Sequence, residues 1–205
     1  MRKIFSIILI CCSILQLSAQ SSMNASQVLA KAVAVMSNSK GVEAKFSIGS
    51  SGYNGSGTIL SVTPKYYVSL PEVEVWYNGK DLFTLNKNTD ETTIVTPTSE
   101  ELAQSNPLAY VTGASANYNV AFSTLKKAGK YVLELTPKKK TAEVKRITLT
   151  LNQSNYVPEK IVIEPKRGNP ITSEINSFKT GISVSSSQFE YTTTKYPKVE
   201  IIDLR

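Results

Sequence analysis

The sequence predicts an α+β fold, with one helix at the front, a short helical insertion mid-chain and a large antiparallel sheet of about eleven strands. Three observations predict it. Val28, Leu29, Ala32, Val33 and Met36 recur at helical spacing. Short runs rich in β-branched and aromatic residues then follow in close succession, separated by Gly, Pro and Asn, which favours antiparallel meanders over βαβ units. Last, residues 73–85 flank Asn78-Gly79 with Val73, Val75, Trp76, Tyr77, Phe83 and Leu85. Asn-Gly suits the positive φ angles of a tight hairpin turn, and the flanks suit a half-buried pleated surface.

In chain order, residues 1–19 read as an export signal. Arg2 and Lys3 form a basic start, Ile4 to Leu17 an apolar run too short to span a bilayer comfortably, and Leu17-Ser18-Ala19 a small-residue cleavage site before Gln20. Cys11 and Cys12 lie within the apolar run and do not follow small residues, so a lipidation signal fits poorly. Residues 20–205 then form one domain with no thiol, large enough for a sizeable core. Loss of Arg2 and Lys3 lowers the net charge from +7 to +5. That mild basicity is too diffuse to argue for nucleic acid.

Ser26 to Met36 reads as a helix capped by Asn24 or Ser26, with Gly41 after its exit. Strands are expected at 43–50, 56–62, 65–70, 72–78, 81–86, 92–96, 118–123, 130–136, 144–151, 158–164, 171–177 and 187–193. Thr98-Ser99-Glu100-Glu101 is a capping box that opens a helix, and Asn106-Pro107 breaks it. Leu108 to Val111 forms a further apolar turn before Gly113.

This composition leaves little room for catalysis. The chain has no histidine, which removes the commonest general base and metal ligand. Without mature cysteine there is no thiol catalysis or Cys-based zinc site. Glu72 with Glu74, Asp90-Glu91 and Glu100-Glu101 each read more simply as a solvated face, a turn and a helix start. No metal or cofactor site is expected. The pairs Lys126-Lys127, Lys145-Arg146 and Lys166-Arg167 and the triplet Lys138-Lys139-Lys140 read mostly as solvated hairpin tips, or as a docking face for an acidic partner. Gly52, Gly55 and Gly57 match no phosphate loop.

About eleven strands present more apolar face than a few short helices can cover. Either the sheet curls toward a barrel or a cavity remains between sheet and helices.

The order of features resembles the periplasmic outer-membrane lipoprotein carrier family, LolA and its relatives. The resemblance rests on Val42-Glu43-Ala44-Lys45-Phe46, on Gly55-Ser56-Gly57-Thr58-Ile59-Leu60 followed by Pro64-Lys65-Tyr66-Tyr67, and on Asn78-Gly79-Lys80-Asp81-Leu82-Phe83-Thr84-Leu85. Leu133 to Lys138, and Phe189-Glu190-Tyr191 with Tyr196 to Glu200, complete it. It implies an incomplete, strongly curved antiparallel barrel with helices as a lid. It also implies a monomeric, non-enzymatic periplasmic carrier that shields lipoprotein acyl chains between an inner-membrane release complex and an outer-membrane acceptor. Each shielded methylene is worth about 0.8 kcal/mol. Cavity candidates are Phe46, Ile59, Tyr67, Trp76, Phe83, Leu102, Leu108 and Tyr110. The family's lid-latching arginine position holds Thr63 here, a departure from the pattern.

Around Pro64 the family pattern places Thr63 and Tyr67 inside, whereas local hydrophobicity favours Tyr66, Val68 and Leu70. The expectation follows the family register, with Ile59, Tyr67 and Phe83 facing the cavity. Two other functions compete with the carrier: an envelope interaction or sensory module of the same fold with a filled core, and a carboxylate-pair hydrolase using Glu72 and Glu74.

Overall fold

The computed structural model describes residues 23–37 and 40–205. The export signal and its cleavage site lie outside the described residues. Helix α1 runs over Ala25–Ser37. Asn24 and Gln27 close a reciprocal pair at its start: the Gln27 N–H donates to Asn24 Oδ1, and the Asn24 N–H to Gln27 Oε1, both at 2.9 Å. Its apolar stripe, Val28, Leu29, Ala32 and Met36, is buried.

The first sheet half comprises β1 (Val42–Ser50), β2 (Tyr53–Val62), β3 (Lys65–Ser69), β4 (Val73–Tyr77), β5 (Leu82–Asn86) and β6 (Glu91–Val95). Three short helices interrupt it: α2 (Ser99–Ser105), α3 (Ala109–Thr112) and α4 (Ala114–Asn117). The predicted box caps α2, with the Glu101 N–H donating to Thr98 Oγ1 and the Thr98 N–H to Glu101 Oε2. The second half comprises β7 (Tyr118–Phe122), β8 (Lys130–Pro137), β9 (Val144–Asn152), β10 (Pro158–Pro165) and β11 (Ile171–Thr180). A last strand, β12 (Glu200–Asp203), follows a 3₁₀ turn at Ser186–Phe189.

All twelve strands form one sheet in the order β12-β6-β5-β4-β3-β2-β1-β11-β10-β9-β8-β7. Every pairing is antiparallel except β12 with β6. The sheet is curved and unclosed, as the fold reading expected. Register shifts at Lys45/Phe46 in β1 and at both ends of β10 supply local bends.

Two expectations need correction. Residues 187–193 do not form a strand. The Ser185-Ser186-Ser187 run prefers local bonds, with the Gln188 N–H donating to Ser185 O, and the final strand instead starts at Glu200. The Asn78-Gly79 turn also departs from a two-residue loop with two positive φ angles. Only Gly79 is positive, at φ 99°, while Asn78 Oδ1 accepts the N–H groups of Lys80 and Asp81 at 3.0 and 2.9 Å.

Candidate functional site

Strand alternation sorts the side chains of the sheet onto two faces. One cross-strand row runs Ala44, Ile59, Val68, Val75, and the next runs Ser61, Tyr66, Tyr77, Leu82, Val95. These rows face the helices and share one core with Val28, Leu29, Leu108, Tyr110 and Val111. In the other half, Leu133, Leu149 and Ile161 align across β8, β9 and β10, all fully buried in the same core.

The helices border two hollows, and only the smaller is lined by residues of these rows, Ser61, Tyr66 and Tyr77. A hollow of about 710 Å³ lies between α2–α4 and the β8–β9 hairpin, with Leu102, Ala103, Tyr110, Tyr118 and Val144 in its wall and Lys139 also bordering it. A smaller hollow of about 190 Å³ lies beside it, lined by Met36, Tyr66, Tyr77, Leu102 and Leu108. Thr63 borders the smaller one, next to the proline of its own strand turn. Burial pushes the Tyr66 and Tyr110 phenols up to about 12, so both stay neutral.

From the sheet, the Tyr66 hydroxyl ties down helix α2, meeting Ser105 Oγ and, at 3.5 Å, the Leu102 carbonyl oxygen. Ser105 Oγ donates to Leu102 O at 3.0 Å. Tyr66 Oη shares a hydrogen bond of 2.5 Å with Ser105 Oγ. No residue of α2 is fully buried, and Leu102 and Ala103 are its partly buried apolar contacts.

Five of the eight cavity candidates, Phe46, Ile59, Leu102, Leu108 and Tyr110, lie on this helix side. Tyr67, Trp76 and Phe83 do not. They form a different row, Leu60, Tyr67, Trp76, Phe83, Ile94, on the opposite face. The family register put Ile59 and Tyr67 on one face, but Ile59 pairs with Val68, so Tyr67 points away. Local hydrophobicity had the right phase at Tyr66 and Val68. Sequence reasoning left Tyr77 open beside Trp76, and missed Tyr118 and Val144 as lining residues. The alternation Val73, Val75, Tyr77 carried the signal for the first, and nothing local marked the other two.

The opposite face is covered by the chain's last segment. Tyr191 and Tyr196 meet Trp76 edge-on at 5.5 and 5.7 Å, Phe83 stacks on Tyr191 at 5.6 Å, and Tyr67 tilts against Trp76 at 5.3 Å. Tyr196 donates to Glu74 at 2.7 Å, and Lys87 lies 3.0 Å from the same carboxylate. Burial alone would raise the Glu74 carboxyl, but the bonds from Tyr196 and Lys87 together hold it below the ordinary glutamate range. Arg205 reaches the buried Asp81 at 2.9 Å. Trp76 thus belongs to a structural cap.

Glu74 is committed to this cap, whereas Glu72 is exposed, so the two do not converge on a shared reaction site. Among the described residues no group of three His, Cys, Asp or Glu is placed to hold a metal ion. No helix among them is long and apolar enough to cross a membrane. Some residues of the basic clusters have structural duties. Arg146 pairs with Glu164 at 2.7 Å, and Lys138 Nζ donates to the carbonyls of Ser115 and Ala116.

No sequence among the curated proteins matches this chain. Among solved structures, an uncharacterised conserved protein of Thermus thermophilus is similar with a TM-score of 0.58 at 8% identity, covering 87% of this chain and 98% of that one. A LolA superfamily protein of Nitrosomonas europaea is similar with a TM-score of 0.43 at 14% identity, covering 83% and 99%. The MucA/MucB complex of Pseudomonas aeruginosa gives a TM-score of 0.44 at 12% identity, covering 82% and 61%. At these identities the likeness concerns fold alone, and only the first score carries weight. Residues 15–169, most of the 205-residue chain, match the family described as outer membrane lipoprotein carrier protein LolA. The chain belongs to that family.

Proposed function

We propose that this protein is a periplasmic carrier that shields the acyl chains of lipoproteins in the space between its sheet and helices and ferries them from the inner to the outer membrane. The observation that carries this reading is the hollow of about 710 Å³ between α2–α4 and the β8–β9 hairpin, within the roughly 300–1,000 Å³ of ordinary ligand pockets. Leu102, Ala103, Tyr110, Tyr118 and Val144 give it an apolar wall suited to hydrocarbon, with Thr98, Glu100, Asn117 and Lys139 also bordering it. Binding by such a wall is non-directional, so cargo can be held and still released. The short helices form its lid and can give way to admit a bulkier cargo. No catalytic residue or cofactor is required. An inner-membrane release complex and an outer-membrane acceptor are its partners.

Native mass spectrometry of protein purified from its own envelope tests this. Acylated polypeptide should co-purify, and Ala103→Trp, which fills the hollow, should abolish it. A ligand-free protein that also fails to extract lipoprotein from membranes would sink the carrier reading.

A second reading is an envelope interaction module without transported ligand. The tight packing of the remaining interface favours it, since Phe46, Ile59, Leu133 and Leu149 are at most 1% exposed. That reading predicts a stable protein partner in pull-downs and no lipid adduct.

A further inference from the structure

The connection between β7 and β8 has an unusual surface. Residues 124–129, Thr-Leu-Lys-Lys-Ala-Gly, are all exposed. Leu125 is 64% exposed and Phe122 is 42% exposed, at the sheet's outermost strand. Isolated exposed apolar residues are ordinary, but these two sit beside a concentration of charge. From Tyr118 to Lys130 the chain carries Lys126, Lys127 and Lys130 and no acidic residue.

The acids near this tip are already engaged. Glu134 accepts from Ser123 Oγ at 2.8 Å. Glu159 pairs with Lys130 and also accepts from Asn152. Glu174 pairs with Lys160 at 2.8 Å. Among the described residues, Lys126 and Lys127 make no direct ion pair, although Lys127 acts through space on the Glu159 and Glu174 carboxylates, whose direct partners are Lys130 and Lys160.

The tip is also held in place. Buried Ser123 anchors it: its N–H donates to Val132 O at 2.8 Å, and its hydroxyl accepts the Leu125 N–H at 3.1 Å while donating to Glu134. The Lys130 N–H closes the turn on Lys127 O at 3.2 Å. Beneath Leu125, Phe122, Tyr131, Lys126 and Lys127 border a hollow of about 780 Å³. Apolar groups and cations therefore line one recess.

We propose that the β7–β8 tip docks on membranes that display anionic phospholipids. Lys126 and Lys127 meet the phosphates, and Leu125 with Phe122 enters the boundary between headgroups and acyl chains. Charge complementarity selects this occupant, because cationic side chains are attracted to anionic leaflets while apolar neighbours gain from partial burial. A single projecting leucine suits a soft interface better than a shaped protein socket. The surface is distinct from the helix-side hollow, so the proposal does not depend on what that hollow carries.

Co-sedimentation with vesicles of phosphatidylglycerol and phosphatidylethanolamine, against vesicles of phosphatidylcholine, tests it. The protein should partition onto the anionic vesicles and be released by salt. Each of Lys126→Gln and Lys127→Gln should weaken partitioning about fivefold. Leu125→Ala should weaken it about tenfold while leaving the salt dependence unchanged. All three positions are exposed, so thermal midpoints should not move. Equal partitioning on both vesicle types, or partitioning unaffected by the lysine and leucine changes, would overturn the proposal. So would vesicle-free capture of an acidic protein through Lys126 and Lys127 with no binding to anionic vesicles.

Discussion

Replacing Tyr66 by Phe removes one hydroxyl and nothing else, and its effect should fall on α2 alone. Tyr66 Oη shares a hydrogen bond with Ser105 Oγ, and both hydroxyls reach the Leu102 carbonyl oxygen. A neutral hydrogen bond of this kind contributes about 0.5–1.5 kcal/mol net. The seven residues of α2 include none that is fully buried, and its capping box stabilises the helix internally without fastening it to the sheet. The Tyr66 hydroxyl is therefore a large share of what holds α2 down. Losing about 1 kcal/mol raises the open population about fivefold. Native-state hydrogen exchange over residues 99–105 should accelerate by that factor, with β8–β10 amides unchanged. Ser105→Ala should produce a similar acceleration, and the double substitution should add little to either single one. Unchanged α2 exchange in the Tyr66→Phe protein, or strictly additive effects of the two changes, would refute the latch.

Two other expectations concern the cap and the sheet. Glu74 has its pKa lowered in the folded state, so it contributes stability above the unfolded glutamate value of about 4.3, and that contribution is lost as pH falls through the folded value. Trp76 is the only tryptophan in the chain, so its emission should red-shift on acidification as the Tyr196 contact loosens, and Glu74→Gln should flatten this step. An identical acid transition in the Gln variant would count against Glu74. Separately, Gly57→Ala places a Cβ 2.5 Å from the Ser69 carbonyl oxygen and 2.9 Å from Phe46 Cζ. Such overpacking costs about 1–3 kcal/mol and should lower the melting midpoint by roughly 2–12 °C. An unchanged midpoint in calorimetry would show that the strands part freely there.

The helices and strands were legible because their signals are local. The Asn24 cap, the Thr98 box and the eleven strands through Thr180 each follow from a few adjacent residues. The facing of β3 was also legible locally, in the alternation of Tyr66 and Val68, but family analogy pointed the other way. What the sequence hid was the partner of each aromatic. Trp76 suited a ligand wall as well as it suited a cap, and the choice depended on Tyr191 and Tyr196, more than a hundred residues away. The last strand escaped notice for the same reason. Glu200–Asp203 is short, and it becomes a strand by lying parallel to β6, a pairing with no hairpin signal.

The cap also sets an order of events for a chain delivered from its N-terminus. Trp76 and Phe83 are threaded out early, but Tyr196 lies 122 positions beyond Glu74, and Arg205 124 beyond Asp81. Until that distant segment arrives, the front meander has a bare aromatic surface and an unpaired β6 edge, both invitations to association with other chains. Contacts of such sequence separation also form slowly, because a long loop must close before they contribute. The front half of this sheet therefore completes its cover later than the β8–β10 meander, whose strands pair with near neighbours.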